Sequence, residues 1–509
     1  MMNLKYETQF YMPQRGTIAV AAAALAILSG CANYSGIGSD RHIDIISDKQ
    51  VAQSLPEEHG HWPAVDWAAQ FGDVQLNALI QEALKKNPSI DQAKARLDAA
   101  AAYAESARAN TEAKVDATYK INREQYSANS WAPHPLGGSW QTENNAVLAA
   151  SYDLDLWDKN NEILQSSVSR MYVNEAALQE VRLILSGAIA QKYNELARLY
   201  AVQDLTNEQV SQFEQMRQLS INRVHAGLDN EIEQRNVDLN VASTRESVKA
   251  IAGHILEVRY QLAALLGASP DRGLRIDRPT LSVGEQVTLP DNLPADLLAR
   301  RPDIVMARWK VDGTTHDIKA AKSDFYPNIN LSAALGLDAF GFGRFLNRSS
   351  DASNVGPAIH LPIFDGGALR AQLKSRYADY DYAVASYNQT LIAALSDVAT
   401  QVARIHATDQ QLSDAQKASD AATKSWHLLD SQYRAGLNTL SSVIQAHIRA
   451  IAEEQASTNL QMTRRDQQIA LARALGGGFV DRTPPTLSVG SALPDPTITA
   501  ANSTVATFN

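Results

Sequence analysis

The sequence predicts a mainly α-helical protein that also contributes strands to a membrane β-barrel, built from two duplicated half-units. Three observations lead there. First, the chain repeats itself. Ala226-Gly227-Leu228 and Leu262-Ala-Ala-Leu-Leu-Gly267 return as Ala435-Gly436-Leu437 and Leu471-Ala-Arg-Ala-Leu-Gly476, with 40 positions between the paired glycines in each half. Solenoid repeats have periods of ~20–50 residues, so a pattern that returns after about 210 residues is a duplicated domain-sized unit. Second, the windows Trp157–Ala226 and Ala368–Ala435 hold no proline and one glycine, Gly187. As helices they reach ~100 Å at ~1.5 Å per residue, far beyond the ~11–12 residues of an ordinary globular helix. Third, four short stretches set larger apolar residues at every second position, which is the period of a strand with two unlike faces. Two matched halves suit a wall or ring better than a one-pocket enzyme.

The N-terminus reads as a secretory segment. Lys5 and Arg15 precede the apolar run Thr17–Leu28, which ends in Leu28-Ser-Gly-Cys31. That run is too short for a ~20-residue membrane-spanning helix and has the layout of a signal peptide, over residues 1–30, with Met1 or Met12 as its start. Leu-Ser-Gly-Cys resembles a bacterial lipobox, in which the cysteine is acylated (palmitate) and becomes the first residue. Cys31 is the only cysteine of the chain, so no intramolecular disulfide is possible. Ala32 is not the aspartate that retains lipoproteins in the inner membrane, which points to the outer one. Residues 31–72 read as a lipidated tether, and the two imidazoles of His59-Gly-His61 within it read as loop, so no metal site is expected.

Each half then follows one plan. The first repeat, 73–276, opens with a helix over 89–112. Strands follow at about 113–127 and 143–157, where Val115, Ala117, Tyr119 and Ile121 alternate with Asp116, Thr118, Lys120 and Asn122. Long helices over 157–226 and 228–266 complete it. The second repeat, 277–476, has a helix over 303–324, strands at about 327–341 and 353–364, and long helices over 368–435 and 437–475. A long helix folded on a shorter one leaves a gap that the opening helix fills, end to end, giving a four-stave layer per chain. Gly227 and Gly436 supply the left-handed residue that ends a helix. Residues 477–509 form an equatorial segment and a loose tail. Past residue 31 no uncharged apolar run has spanning length, so if the chain crosses a membrane it does so with strands; the alternation by itself also fits a soluble sheet packed on a core. Trp131 and Trp140 lie in the connection between the first two.

These residues resemble the TolC-type outer-membrane factors, and among them the NodT-like (OprM-like) efflux lipoproteins. The likeness covers most of residues 60–490. It is carried by Phe71-Gly-Asp-Val-Gln-Leu76 with Asn87-Pro88, by Ser151-Tyr-Asp-Leu-Asp-Leu-Trp157, by Leu293-Pro-Ala-Asp-Leu-Leu-Ala-Arg-Arg-Pro-Asp-Ile304 with Tyr326-Pro327, and by Leu361-Pro-Ile-Phe-Asp-Gly-Gly367. The resemblance implies a homotrimer with a twelve-stranded barrel and a periplasmic α-helical barrel. It also implies outer-membrane lipid around the barrel, and a periplasmic adaptor and inner-membrane pump as partners. It places a gate just past the tip glycines, at Asp229, Glu231 and Glu233 in the first half. The second half departs from the acidic pattern with Asn438, Ser442 and Gln445, so hydrogen bonds are expected there. Adaptor contact is expected at Arg223, His225, Ala226, Gly227, Arg434, Ala435 and Gly436.

The net charge of −10 argues against nucleic acid, whose phosphates need clustered Lys and Arg. No phosphate-binding glycine loop, nucleophile elbow or zinc-binding His pair occurs, so neither an enzyme nor a cofactor is expected. The expected function is passive efflux of small toxic compounds and drugs across the outer membrane. The alternatives are the exit duct of a type I protein secretion system and a non-spanning, lipid-anchored coiled-coil adaptor.

Overall fold

A computed structural model of the chain describes residues 34–44, 51, 53–55, 60–129, 131, 133–281, 289–290 and 293–481. The signal segment, Cys31, His59 and the tail beyond Asp481 lie outside the described residues.

Four staves make the helical layer. α1 (Val74–Lys86) leads into α2 (Pro88–Ala109), and after two strands the chain runs down α3 (Lys159–His225) and back along α4 (Glu231–Leu265). The second half gives α5 (Leu293–Arg300), α6 (Pro302–Ser323), two more strands, α7 (Ala368–Arg434) and α8 (Leu440–Ala474). α3 and α7 have 67 residues each. α3 packs against α2 and α4 on one side and against α6 and α8 on the other, while α7 packs against α6 and α8. The lateral order is therefore α2 with α4, then α3, then α6 with α8, then α7.

The stacked staves meet at an equator, and the repeated motifs explain how. α4 and α8 end in Schellman motifs, with Ala268 N–H donating to Ala263 O and Gly477 N–H to Ala472 O. Gly267 and Gly476 hold the left-handed φ of 69° and 88°. A Cβ on Gly267 would stand 2.6 Å from the Lys86 carbonyl oxygen, and one on Gly476 would collide with that of Arg300. Only glycine lets the returning helix approach the next one so closely. Asn87 and Arg301 then close the joint. Asn87 Nδ2 donates to Leu265 O at 2.8 Å and Arg301 Nη1 to Ala474 O at 3.0 Å, satisfying the orphan carbonyls at the helix ends. Each is followed by a proline at the first position of the next helix, where a missing N–H costs nothing.

Two apolar cores flank this equator. One gathers Ile189, Tyr193 and Leu196 of α3 with Leu76, Leu79, Ile90, Leu262 and Leu266. The other gathers Leu373, Val384, Tyr387 and Val398 of α7 with Ile304, Val311 and Ile318 of α6. Outside α7 runs the N-terminal strap. Arg370 donates to Ser35 O, Ser39 pairs with Asp381, and Asn388 bonds both His42 O and Asp44 N–H. Tyr34, at the head of the strap, packs edge-on to Phe325 at the foot of the sheet.

The sheet holds β1 (Lys114–Gln125), β2 (Trp140–Asp153), β3 (Asn328–Phe340) and β4 (Asp351–His360), antiparallel in that order. Its second strand differs from the expected 143–157. Trp140 already pairs with Gln125, so it opens the strand and is not part of the connection. At the other end Asp155 takes φ 41°, and its carboxylate accepts the Asn160 and Asn161 N–H groups at 2.9 Å to start α3. The fourth strand, expected at 353–364, runs from Asp351 to His360, whose partner Asn328 is the first residue of β3. Asp365 then accepts from Gly367 N–H at 2.9 Å and Leu369 N–H at 2.6 Å, starting α7. The returning helices start at Glu231 and Leu440, three residues later than 228 and 437, because capping turns fill the gap.

Candidate functional site

Two regions expose the side chains that the sequence singles out: the helical tips and the sheet. At the first tip α3 ends in another Schellman motif, with Leu228 N–H donating to Arg223 O at 2.9 Å and Gly227 N–H to Val224 O at 3.0 Å. Gly227 has φ 69° with open space around it. Asn230 caps α4, its side chain accepting from Ile232 N–H at 3.0 Å and Glu233 N–H at 3.3 Å. Glu231 and Glu233 lie exposed in the first turn, where the helix dipole favours a carboxylate. Asp229 pairs with Arg223 at 3.2 Å across the reversal.

The second tip repeats the backbone with other side chains. Leu437 N–H donates to Gln432 O and Gly436 N–H to Tyr433 O, both at 2.9 Å. Thr439 caps α8, its hydroxyl meeting Ser442 N–H at 3.2 Å and Ser442 Oγ at 2.9 Å. Asn438 Nδ2 donates to Gln432 Oε1 at 3.2 Å. Arg434 pairs with Asp430 one turn back at 2.8 Å, within its own helix and not across to the other tip. Gln445, His225, Ala226, Ala435 and Gly436 are exposed.

The structure therefore gathers the expected tip residues in two clusters, one per hairpin, and adds residues that the sequence reading missed. The caps Asn230 and Thr439 follow the reversal in each half, and Asx or Thr before a helical run is a readable signal. Gln432 was missed although it stands 209 positions after Arg223, as Asn438 does after Asp229. Aligning the two halves residue by residue exposes that pair. Nothing local signals the contacts between hairpins. Ser441 Oγ meets Met216 Sδ at 3.7 Å, His447 Nε2 lies 3.0 Å from Glu208, and the His447 ring stacks on Trp426 at 3.7 Å.

The sheet separates its chemistry by face. Cross-strand rows on one side read Val115, Ala150, Ala333, Val355 and Ala117, Leu148, Leu335, Ser353. The other side reads Lys114, Ser151, Ser332, Gly356 and Lys120, Asn145, Asp338. The apolar residues are exposed, Val115, Tyr119, Leu148, Leu335, Val355 and Ile359 among them, so this face is not the lid of a soluble core. No helix among the described residues is long and apolar enough to cross a membrane. β1 and β4 each keep one open edge.

Comparison with known proteins gives a consistent picture. The family profile described as outer membrane efflux protein matches residues 79–268 and 293–477. The chain is 33% identical over 368 residues to the fusaric acid resistance protein FusA of Burkholderia cepacia, covering 70% of this chain and 69% of that one. It is 28% identical over 462 residues to the multidrug resistance outer membrane protein MdtP of Escherichia coli (strain K12), covering 89% and 94%. Among solved structures it is similar to the outer membrane protein VceC of Vibrio cholerae, with 32% identity, a TM-score of 0.76 and coverage of 82% of this chain and all of that one.

Proposed function

The chain belongs to the outer membrane efflux protein family, and from that premise we propose that it is the outer-membrane duct of a tripartite efflux system. It conducts small toxic compounds passively from a periplasmic adaptor and an inner-membrane pump to the outside. One observation carries the reading: a four-stranded sheet, apolar on one face and polar on the other, continues directly into two 67-residue helices. A lone four-stranded sheet cannot close, and an open edge in lipid leaves backbone groups unpaired at several kcal/mol each. Bacterial barrels start at about eight strands, so copies of the chain must join β4 of one to β1 of the next. Three copies give twelve strands around a polar lumen lined by Lys114, Asp116, Lys120, Asn145 and Asp338. The helical staves join in the same way into a tube, and the hairpin tips form its periplasmic entrance. We assign the two repeats to 73–276 and 277–476, with the strap ahead of them.

Asp229, Glu231 and Glu233 form the acidic part of the entrance in this reading, and Asn438, Ser442 and Gln445 the hydrogen-bonding part. Arg223, His225, Ala226, Gly227, Arg434, Ala435 and Gly436 meet the adaptor. Cys31 is the acylated first residue of the mature chain. It stands three residues ahead of Tyr34 in the sequence, and Tyr34 packs at the foot of the sheet, which supports an anchor at that end of the barrel. Two experiments test the reading. Purified protein in detergent should have about three times the mass of one chain and form pores in a planar bilayer; a compact monomer without conductance refutes the duct. Cys31→Ala should abolish acyl labelling, and an unmodified Cys31 in the mature wild-type protein refutes the anchor.

A further inference from the structure

We propose that the extracellular rim of the sheet carries a binding site for a phosphorylated, multiply acylated lipid of the outer leaflet. The connection between β3 and β4, residues 341–350, does not project away from the sheet. It crosses β2 on the apolar face, bringing the Phe345 ring within 5.9 Å of Tyr119 on β1. Asn144 of β2 is fully buried; its Oδ1 accepts from Tyr119 OH at 3.1 Å, and its Nδ2 has no partner. Gly341 N–H donates to Thr142 O at 2.7 Å, and Ser350 Oγ to Arg344 O at 2.8 Å, which fixes the connection as a shelf.

The shelf ends the apolar band with cations. Arg344 and Arg348 are exposed on it, and Arg123 is exposed at the same end of the same face, 6.0 Å over the Trp140 ring. None of the three forms an ion pair with a described residue. Asp351 is the one carboxylate of the strands on that face, while Glu124, Glu143 and Asp338 alternate onto the luminal face. Large apolar side chains are exposed on the two connections at that end: Trp131 is 87% exposed, Leu346 84% and Phe342 65%.

Guanidinium groups bind phosphate oxygens in pairs, and aromatic side chains seat at the lipid–water boundary. A soluble anion would use the arginines and leave Phe342 and Leu346 in water; an acylated phosphate uses both. The opposite rim argues for the same leaflet. There Tyr152, Trp157 and Tyr326 neighbour Asp153, Asp155, Asp324 and Asp365, with Lys159 the basic side chain lining that cleft beside His360. Three guanidinium groups stand on the apolar face at the extracellular end, whereas the cleft at the opposite rim is lined by none. The proposal rests on the outer-membrane placement and not on conduction.

The test uses the intact assembly in detergent, followed by native mass spectrometry during titration with diphosphoryl lipid A, monophosphoryl lipid A and phosphatidylethanolamine. Diphosphoryl lipid A should be retained, up to one per chain, in preference to the other two. The combined variant R123A/R344A/R348A should weaken its retention about tenfold or more, in line with the worth of basic residues at a lipid surface, while keeping wild-type assembly and conductance. If that variant fails to assemble, Arg348→Glu on the exposed shelf supplies the same readout. Equal retention of phosphatidylethanolamine, undiminished binding by the variants, or full displacement of the lipid by millimolar inorganic phosphate each overturns the proposal. A protein that shows this lipid pattern but forms no pores refutes the duct and leaves the lipid site standing.

Discussion

At the first tip Arg223 and Asp229 form an ion pair across the reversal; at the second, Gln432 and Asn438 make a neutral hydrogen bond at the equivalent places. The backbone around them is the same, down to the two hydrogen bonds that end each long helix and the left-handed glycine that follows. The comparison teaches that glycine and a capping side chain set the turn, so the charge above it is free to differ. A second contrast lies between tips and equator. Gly227 and Gly436 turn in open space, whereas Gly267 and Gly476 face the backbone of the next helix.

The largest effects should come from the second contrast. Gly267→Ala and Gly476→Ala combine a left-handed strain with a backbone collision, so each should cost about 3 kcal/mol or more. Gly227→Ala and Gly436→Ala carry the strain alone, about 1–2 kcal/mol. Denaturant midpoints of the four variants check this, and four equal losses would erase the distinction.

Asp73 sharpens the equatorial side next. Burial pushes its carboxyl up, but the N–H groups of Thr280, Gln75 and Leu76 and the Tyr193 hydroxyl all donate to it and hold it below the usual carboxylate range. A lowered folded value means that its stabilisation is complete above the unfolded pKa and is lost as pH falls through the folded one. Asp73→Asn should cost about 1.5–3 kcal/mol at neutral pH, the worth of a bond to a charged group. It should also flatten the acid limb of a stability profile. An unchanged acid limb would show that another carboxylate governs it.

Among the tips, the double variant Arg223→Gln with Asp229→Asn gives the first tip the chemistry of the second. Arg223→Ala alone leaves Asp229 uncompensated beside Glu231 and Glu233. Single-channel recording should show stronger block by divalent cations for Arg223→Ala, by a few-fold, and weaker salt dependence of resting conductance for the double variant. Identical behaviour of both would mean that the tips contribute no charge to the entrance. Glu233→Gln should weaken cation block, and Ser442→Asp should strengthen it by adding to the neutral tip the carboxylate it lacks. The smallest effect belongs to Arg434→Ala. Its partner is Asp430 on its own exposed helix face, so stability should shift by no more than about 0.5 kcal/mol, with resting conductance unchanged. A rise in conductance would show that Arg434 reaches another tip in the assembly.

Much of this molecule was legible along the chain. The two proline-free windows announce helices of unusual length because a helix runs until a residue breaks its hydrogen bonds or a cap replaces them. The strands show because a two-faced sheet imposes period two on Val115 to Asn122. The edges were less legible. Leu154 and Leu361 continue the apolar alternation, yet Asp155 and Asp365 draw the backbone into helix caps, and a local bond to two N–H groups outweighs one more rung of ladder.

What the sequence determined by itself is the set of elements, their lengths and the places where they reverse, all governed by φ/ψ limits and side-chain period within a few residues. The tertiary structure alone decided which stave lies beside which, and that β2 and β3 pair in the centre and leave β1 and β4 open. It also decided that Asn87 and Arg301 close the equatorial joints on Leu265 and Ala474, and that the shelf of residues 341–350 folds back over Asn144. Those contacts join residues far apart in the chain, and their free energy comes from packing and desolvation between surfaces, to which no local window has access.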